Sequence, residues 1–311
     1  MLAACLALVA ALVAAIVVVD SRGAARSHRS QASGANAQTA GPDPVASHRR
    51  GEHAATGAQS ATGAHSAARA PDGVNARGTA EIKRLIALGR PIYCAGPHGN
   101  EVAFTFDDGP GVYTHYAVKK LEQAHERATF FVVGRNIDPF PGWLPHELAL
   151  GAIGDHTWTH PELIALTPGD VSSQLERTAR KIQAVSGEHV VLWRPPYGLH
   201  NATTDHIAQQ LGLLEILWST DSADSLGANY AGIIRNVEAG LHPGAIVLMH
   251  ENRGQTIRAL TTLLPELRRR HLRSVSVPEL LATDPPSTRQ VIDGGLGCGT
   301  TQTRPLAGSG G

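Results

Sequence analysis

The spacing of apolar positions divides the 311-residue chain into three parts. Residues 1–19 are almost wholly apolar, and the stretch that follows, to about Gly78, holds almost no large apolar side chain. From about residue 93 to 285, short β-type runs alternate with amphipathic helical stretches. The runs lie at residues 101–106, 128–133, 152–155, 189–193, 213–219, 245–249 and 272–277, and the helical patterns at 116–126, 143–150, 168–186, 203–211, 229–239 and 256–270. Steady alternation of this kind predicts an α/β fold with a parallel sheet or barrel. Functional groups then collect at the carboxyl ends of the strands.

The apolar run over 1–19 is long enough to be an export signal or a membrane anchor, so the chain is expected to meet a membrane through this segment and to work outside the cytoplasm, secreted or anchored. The Arg22, Arg26 and Arg29 that follow it would by the positive-inside rule favour the opposite orientation, a signal that basic residues ahead of Met1 would reverse. Residues 20–92, rich in Ala, Gly, Ser and His, are read as a disordered tether because they cannot bury enough surface to offset ordering entropy. Residues 93–285 form the folded domain, and 286–311, rich in Pro, Thr and Gly, a flexible tail.

Lys and Arg number 27 against 27 Asp and Glu, and no basic patch carries interleaved aromatics, so nucleic acid is not an expected partner. Of the three cysteines, Cys94 precedes the first strand of the folded part and Cys298 follows its last element. Domain termini often lie close together, so an intramolecular Cys94–Cys298 disulfide is expected outside the cell, with two free thiols as the alternative.

Five segments at predicted strand ends carry candidate chemistry. Thr105-Phe106-Asp107-Asp108-Gly109-Pro110 places two adjacent carboxylates where the first strand should end, and these can take separate tasks only if the backbone turns there. One could ligate a metal and the other serve as a base, although the same residues also make an ordinary exposed turn. His156-Thr157-Trp158-Thr159-His160 spaces two imidazoles to share one face of a helical turn, and with one Asp they make a three-ligand metal set. Arg194-Pro195-Pro196-Tyr197-Gly198 gives a stiff loop whose arginine could hold a carboxylate such as Asp107 bidentately. Asp221, in Asp221-Ser222-Ala223-Asp224, is placed to raise the pKa of a nearby histidine, and His250, closing the apolar strand after Leu248-Met249, is the expected recipient and general acid.

In this order the segments TFDDGP, HTWTH, RPPYG, DSADS and LMH resemble the polysaccharide deacetylase family, carbohydrate esterase family 4, over about residues 93–283. The resemblance implies a distorted (β/α)7 barrel. It makes Asp108, His156 and His160 ligands of one divalent metal, with Zn2+ the default and Co2+ or Mn2+ compatible with the same donors. It makes Asp107 the base held by Arg194, the Tyr197 backbone N–H an oxyanion donor, Leu248 a wall of the acetyl pocket, and His250 the acid tuned by Asp221. The family usually has an aromatic residue where this chain has Ser225; Trp158 or Trp218 is a candidate replacement.

The implied activity is removal of N-acetyl groups from a glycan. An export segment and long tether favour peptidoglycan, with chitin oligomers or acetyl-xylan as alternatives. A catalytically silent glycan-binding domain is the reading of another class, and it would be marked by loss of a ligand, base or acid.

Overall fold

The computed structural model describes residues 72–298, so the expected membrane segment 1–19 and most of the expected tether lie outside the described residues. No helix among the described residues is long and apolar enough to cross a membrane. The strands are β1 (Glu101–Gly109), β2 (Ala128–Val132), β3 (Gly151–Asp155), β4 (Leu192–Trp193), β5 (Leu214–Glu215), β6 (Thr220–Asp221), β7 (Ile246–His250) and β8 (Arg273–Ser274). The helices are α1 (Asp72–Leu88), α2 (Thr114–Ala124), α3 (Trp143–Leu150), α4 (Pro168–Ser186), α5 (Ala202–Gln210), α6 (Tyr230–Gly240), α7 (Gly254–Arg269), α8 (Val277–Thr283) and α9 (Thr288–Asp293).

The sheet runs β5-β4-β3-β2-β1-β7-β6, all pairs parallel, with β8 joined to the start of β1. Its two ends belong to one stretch of chain. Within residues 214–221 the first two pair with β4 and the last two with β7. The run expected as one strand over 213–219 thus closes a distorted (β/α)7 barrel by splitting. Ile92 bridges to Ile216 inside the split, and the Leu217 N–H donates to the Ile92 carbonyl. The runs at 189–193 and 272–277 likewise shrink to two paired residues each.

Alternation along β1 sorts side chains between two layers. Val102, Phe104 and Phe106 pack outward with β7 residues Val247 and Met249 against Leu121 of α2 and Leu260 and Leu263 of α7. Ala103 faces inward with Ile246 and Phe131, in the cluster that holds Ile82 and Leu85 of α1 and Leu280 and Leu281 of α8. Thr105 and Asp107 follow Ala103 on the inner face, and Leu248 and His250 follow Ile246.

Helix ends follow local chemistry. Thr167 caps α4 by accepting from the Asp170 N–H, with Pro168 in the first turn and Gly187 closing the helix at φ 76°. Ser276 and Glu279 form a capping box that starts α8.

Two domain boundaries need correction. The tether read over 20–92 does not extend through α1, because Ile82 and Leu85, three apart on one helix face, are buried. The tail read over 286–311 begins with α9, and the short helical turn after it carries Cys298 into a disulfide with Cys94. The bridge spans a sequence separation of 204 residues and fastens this end of the chain beside the bridge between Cys94 and Ala245. Cys298→Ser should lower the unfolding free energy by about 2–5 kcal/mol. A denaturation midpoint equal to that of the unaltered chain would show that the bridge adds no stability.

Candidate active site

The site is built on the inner face of β1. The strand does not end before the paired aspartates, as expected, but continues through them to Gly109. Separation of the two carboxylates comes from a register shift between Asp107 and Gly109, where Asp108 takes a left-handed φ of 71°. A β-carbon on Gly109 would lie 1.5 Å from Glu251 Oε1, so only glycine fits beneath this turn.

Asp107 is buried and faces Arg194, itself fully buried. Arg194 Nη1 donates to Asp107 Oδ1 at 2.8 Å and to Thr105 Oγ1 at 2.8 Å. Its Nε donates to the Ile216 carbonyl and Nη2 to the Leu217 carbonyl. The expected bidentate grip is therefore absent, because the fork is shared between one carboxylate oxygen and the backbone at the split in the barrel. The guanidinium lies 4.1 Å from the centre of the Phe131 ring, and burial lowers its pKa while Asp107 counters that shift.

Asp108, His156 and His160 come together with their donor atoms within 4.8 Å of one another. The His160 Nε2 to Asp108 Oδ1 distance is 3.3 Å and that from His156 Nε2 is 3.7 Å. His156 Nδ1 donates to the Arg194 carbonyl at 2.7 Å, which leaves the Nε2 lone pair facing the carboxylates. The segment is not the helical turn expected from the four-residue spacing; Thr157 and His160 have φ of 68° and 63°, and these left-handed residues bring the two rings together. One carboxylate oxygen and two imidazole nitrogens fit a divalent metal such as zinc. Burial raises the Asp108 pKa, but the nearby His156, His250 and His160 outweigh it and leave the group lowered. Burial, then His156, lowers that of His160.

On the neighbouring strand, His250 Nδ1 is hydrogen-bonded at 2.7 Å to Asp224 Oδ1, not to Asp221. Ala223, with φ 56°, turns the chain back so that the second aspartate of the segment reaches His250, and the Asp221 carboxylate instead accepts from the Ala223 N–H. Asp224 also accepts from the His250 N–H and from Thr256 Oγ1. Burial alone would lower the His250 pKa; the Asp224 hydrogen bond and charge override it and push it up to about 9. Burial raises the pKa of Asp221. Leu248, buried, has the same strand parity as His250.

Tyr197 turns the Pro196–Gly198 segment with φ 62°, and its ring stands edge-on to His160, centres 4.6 Å apart. Of the two candidate replacements for the aromatic at Ser225, Trp218 lies beside the site, against Gly198 and 5.6 Å from the Arg194 guanidinium. Trp158 instead stacks with Arg177 of α4. Ser225 is exposed.

Three neighbours were not singled out from the sequence. Asn252 Nδ2 donates to Asp108 Oδ2 at 3.0 Å, on the oxygen opposite the histidines. Glu251 donates its N–H to the Asp107 carbonyl and accepts from Thr114 Oγ1, which in turn accepts from the Gly111 N–H. Glu147 of α3 meets Glu251 in a fully buried pair, and burial raises the pKa of both carboxyls. Only the adjacency of Glu251 and Asn252 to His250 could have flagged them.

The family profile described as Polysaccharide deacetylase matches residues 95–216. A peptidoglycan-N-acetylglucosamine deacetylase of Bacillus cereus is 31% identical over 196 residues, covering 61% of this chain and 71% of that protein. The chain belongs to the polysaccharide deacetylase family. A peptidoglycan-N-acetylglucosamine deacetylase of Listeria monocytogenes is 34% identical over 194 residues, 62% of this chain, and the match spans 41% of that longer protein. A crystal structure of a family 4 carbohydrate esterase pseudoenzyme from Bacillus anthracis superposes with a TM-score of 0.58 at 29% identity, covering 61% of this chain and 68% of that one.

Because His250 gains its partner on folding, its pKa is raised, and the stabilisation from the Asp224 pair is complete below about pH 6.5 and lost as pH rises through about 9. In metal-stripped protein the Asp224→Asn variant should bring the His250 titration, followed by proton NMR, down from about 9. An unmoved titration would remove Asp224 from this role.

Proposed function

We propose that the folded domain is a metal-dependent hydrolase that removes N-acetyl groups from a cell-wall glycan, with peptidoglycan the first substrate. The observation that carries this reading is the pairing of two separately held groups beside the Asp108-His156-His160 donors: Asp107 on Arg194, and His250 on Asp224. Loss of a ligand, the base or the acid would mark a silent domain, and the chain retains Asp108, His156, His160, Asp107 and His250. The names of the relatives from Bacillus cereus and Listeria monocytogenes support the choice of glycan.

Asp108, His156 and His160 would hold a divalent ion, Zn2+ by default, which when bound would supply a Lewis acid for the acetyl carbonyl and for water. Asp107 takes the proton of the attacking water, with Arg194 fixing its orientation. The Tyr197 N–H, set by the left-handed turn, donates to the oxygen that gains charge, a contact of the kind worth about 3–4 kcal/mol. His250, protonated at neutral pH, gives its proton to the departing sugar nitrogen. Leu248 lines the methyl side of the acetyl pocket, and Asn252 holds the outer oxygen of Asp108. The apolar segment over 1–19 and the disulfide support an extracytoplasmic location, anchored or secreted.

Acetate release should be measured on peptidoglycan, chitin oligomers and acetyl-xylan with metal-stripped and metal-restored protein. Peptidoglycan should be turned over only after metal is restored, and no release from any substrate would favour the silent reading. Asp107→Asn should reduce release by at least about 100-fold while metal content stays unchanged; retained turnover would take the base role from Asp107.

A further inference from the structure

A second cluster of metal-type donors lies outside this site. His200 follows the Arg194–Gly198 loop, Asp205 is in the first turn of α5, and Glu215 ends β5. Their donor atoms fall within 4.8 Å of one another. His200 Nδ1 stands 3.0 and 3.1 Å from the two Asp205 oxygens and 3.4 Å from Glu215 Oε1. Ligands of a tetrahedral ion at about 2.0–2.2 Å are separated by about 3.3–3.6 Å, so these spacings are close to what one shared ion requires.

The cluster is not balanced by its own hydrogen bonds. Asp205 Oδ1 also accepts from Thr204 Oγ1 at 3.1 Å, but a single imidazole N–H faces the two carboxylates together and the buried Glu215 Oε1 is left with no hydrogen-bond partner. Burial, then Asp205, raises the Glu215 pKa; burial, then Glu215 and Asp205, pushes Tyr93 up to about 12. Two carboxylates at this separation need a proton or a cation between them. Arg90 and His206 line the adjoining cavity of about 540 Å³ together with His200 and Asp205, and Arg90 forms no ion pair with either carboxylate.

The geometry points to a second divalent-cation site, held by His200 Nδ1, an Asp205 oxygen and Glu215 Oε1, that takes a zinc-class ion. It ties the loop carrying Tyr197 to α5 and β5 and is independent of the Asp108 triad.

Full-length protein stripped of metal, re-equilibrated with Zn2+ and dialysed against a weak chelator to clear the histidine-rich amino-terminal region, should retain two zinc equivalents. Asp108→Asn should retain one, and Asp108→Asn with Glu215→Gln none. Zinc-edge anomalous diffraction of the unaltered protein should place a peak among His200, Asp205 and Glu215, which decides the matter even if Glu215→Gln folds poorly. A peak at the Asp108 triad alone, or zinc retained unchanged by the double variant, overturns the second site and leaves the proposed activity standing. Zinc at the second site with none at the triad would instead strike at the metal reading of the proposed function.

Discussion

The buried ion pair between Arg194 and Asp107 is the constraint on which the rest of the site depends. A guanidinium with no exposed surface must find partners for its donors inside the protein, and effective burial costs run to several kcal/mol per ion. Here those partners are Asp107, Thr105 and the carbonyls of Ile216 and Leu217. The two carbonyls belong to the stretch where the barrel strand divides into β5 and β6. One side chain therefore repairs the break in the barrel and aims the carboxylate. Removing either charge leaves the other buried and unpaired, at a cost of about 3–5 kcal/mol, so barrel closure and orientation of the Asp107 carboxylate are linked.

Backbone strain is concentrated where the site is assembled. Among the described residues the non-glycine positions with left-handed φ are Asp108, His125, Thr157, His160, Tyr197, Ala223 and His271. His125 closes α2, as such residues do at helix ends, and His271 sits just past the end of α7. Of the other five, Asp108 lies at the register shift near the end of β1 and the rest in the loops that bring the two histidines, Tyr197 and Asp224 to it. Each such conformation costs of the order of 1–3 kcal/mol and persists only where packing over-determines it. The clasp from Glu251 and Asn252 onto the Asp108–Gly111 turn is packing of that kind.

This strain also explains how much could be read from the chain. The order of strands and helices was legible because alternation and 3.6-residue periodicity survive in β1, β2, β7 and most helices, and the five segments fall at strand ends. Helix α1 was missed because composition over the surrounding residues is poor in large apolar side chains, although Ile82, Leu85 and Ile86 carry the helical spacing. The partner of His250 was assigned to Asp221 because strand-end position favours the first aspartate; the left-handed turn at Ala223 that presents Asp224 leaves no mark in the sequence. The bulge at Asp108 and the divided fork of Arg194 are likewise tertiary outcomes, set by which backbone groups the barrel leaves unpaired.

Charge balance ties these parts together. Arg194 offsets Asp107, and protonated His250 offsets Asp224, so Asp107 and His250 each carry their own counter-charge. Asp108 instead stands beside His156, His250 and His160, which together hold its pKa low against burial. His156 gives its Nδ1 proton to the Arg194 carbonyl, and Asn252 offers Asp108 a neutral amide. The Asp108 carboxylate thus lies beside two imidazole donors of the kind a divalent cation binds, while Asp107 and His250 each hold a buried partner of their own. Asp107 and His250 can sit in one small pocket because each is fixed by a different buried counter-charge.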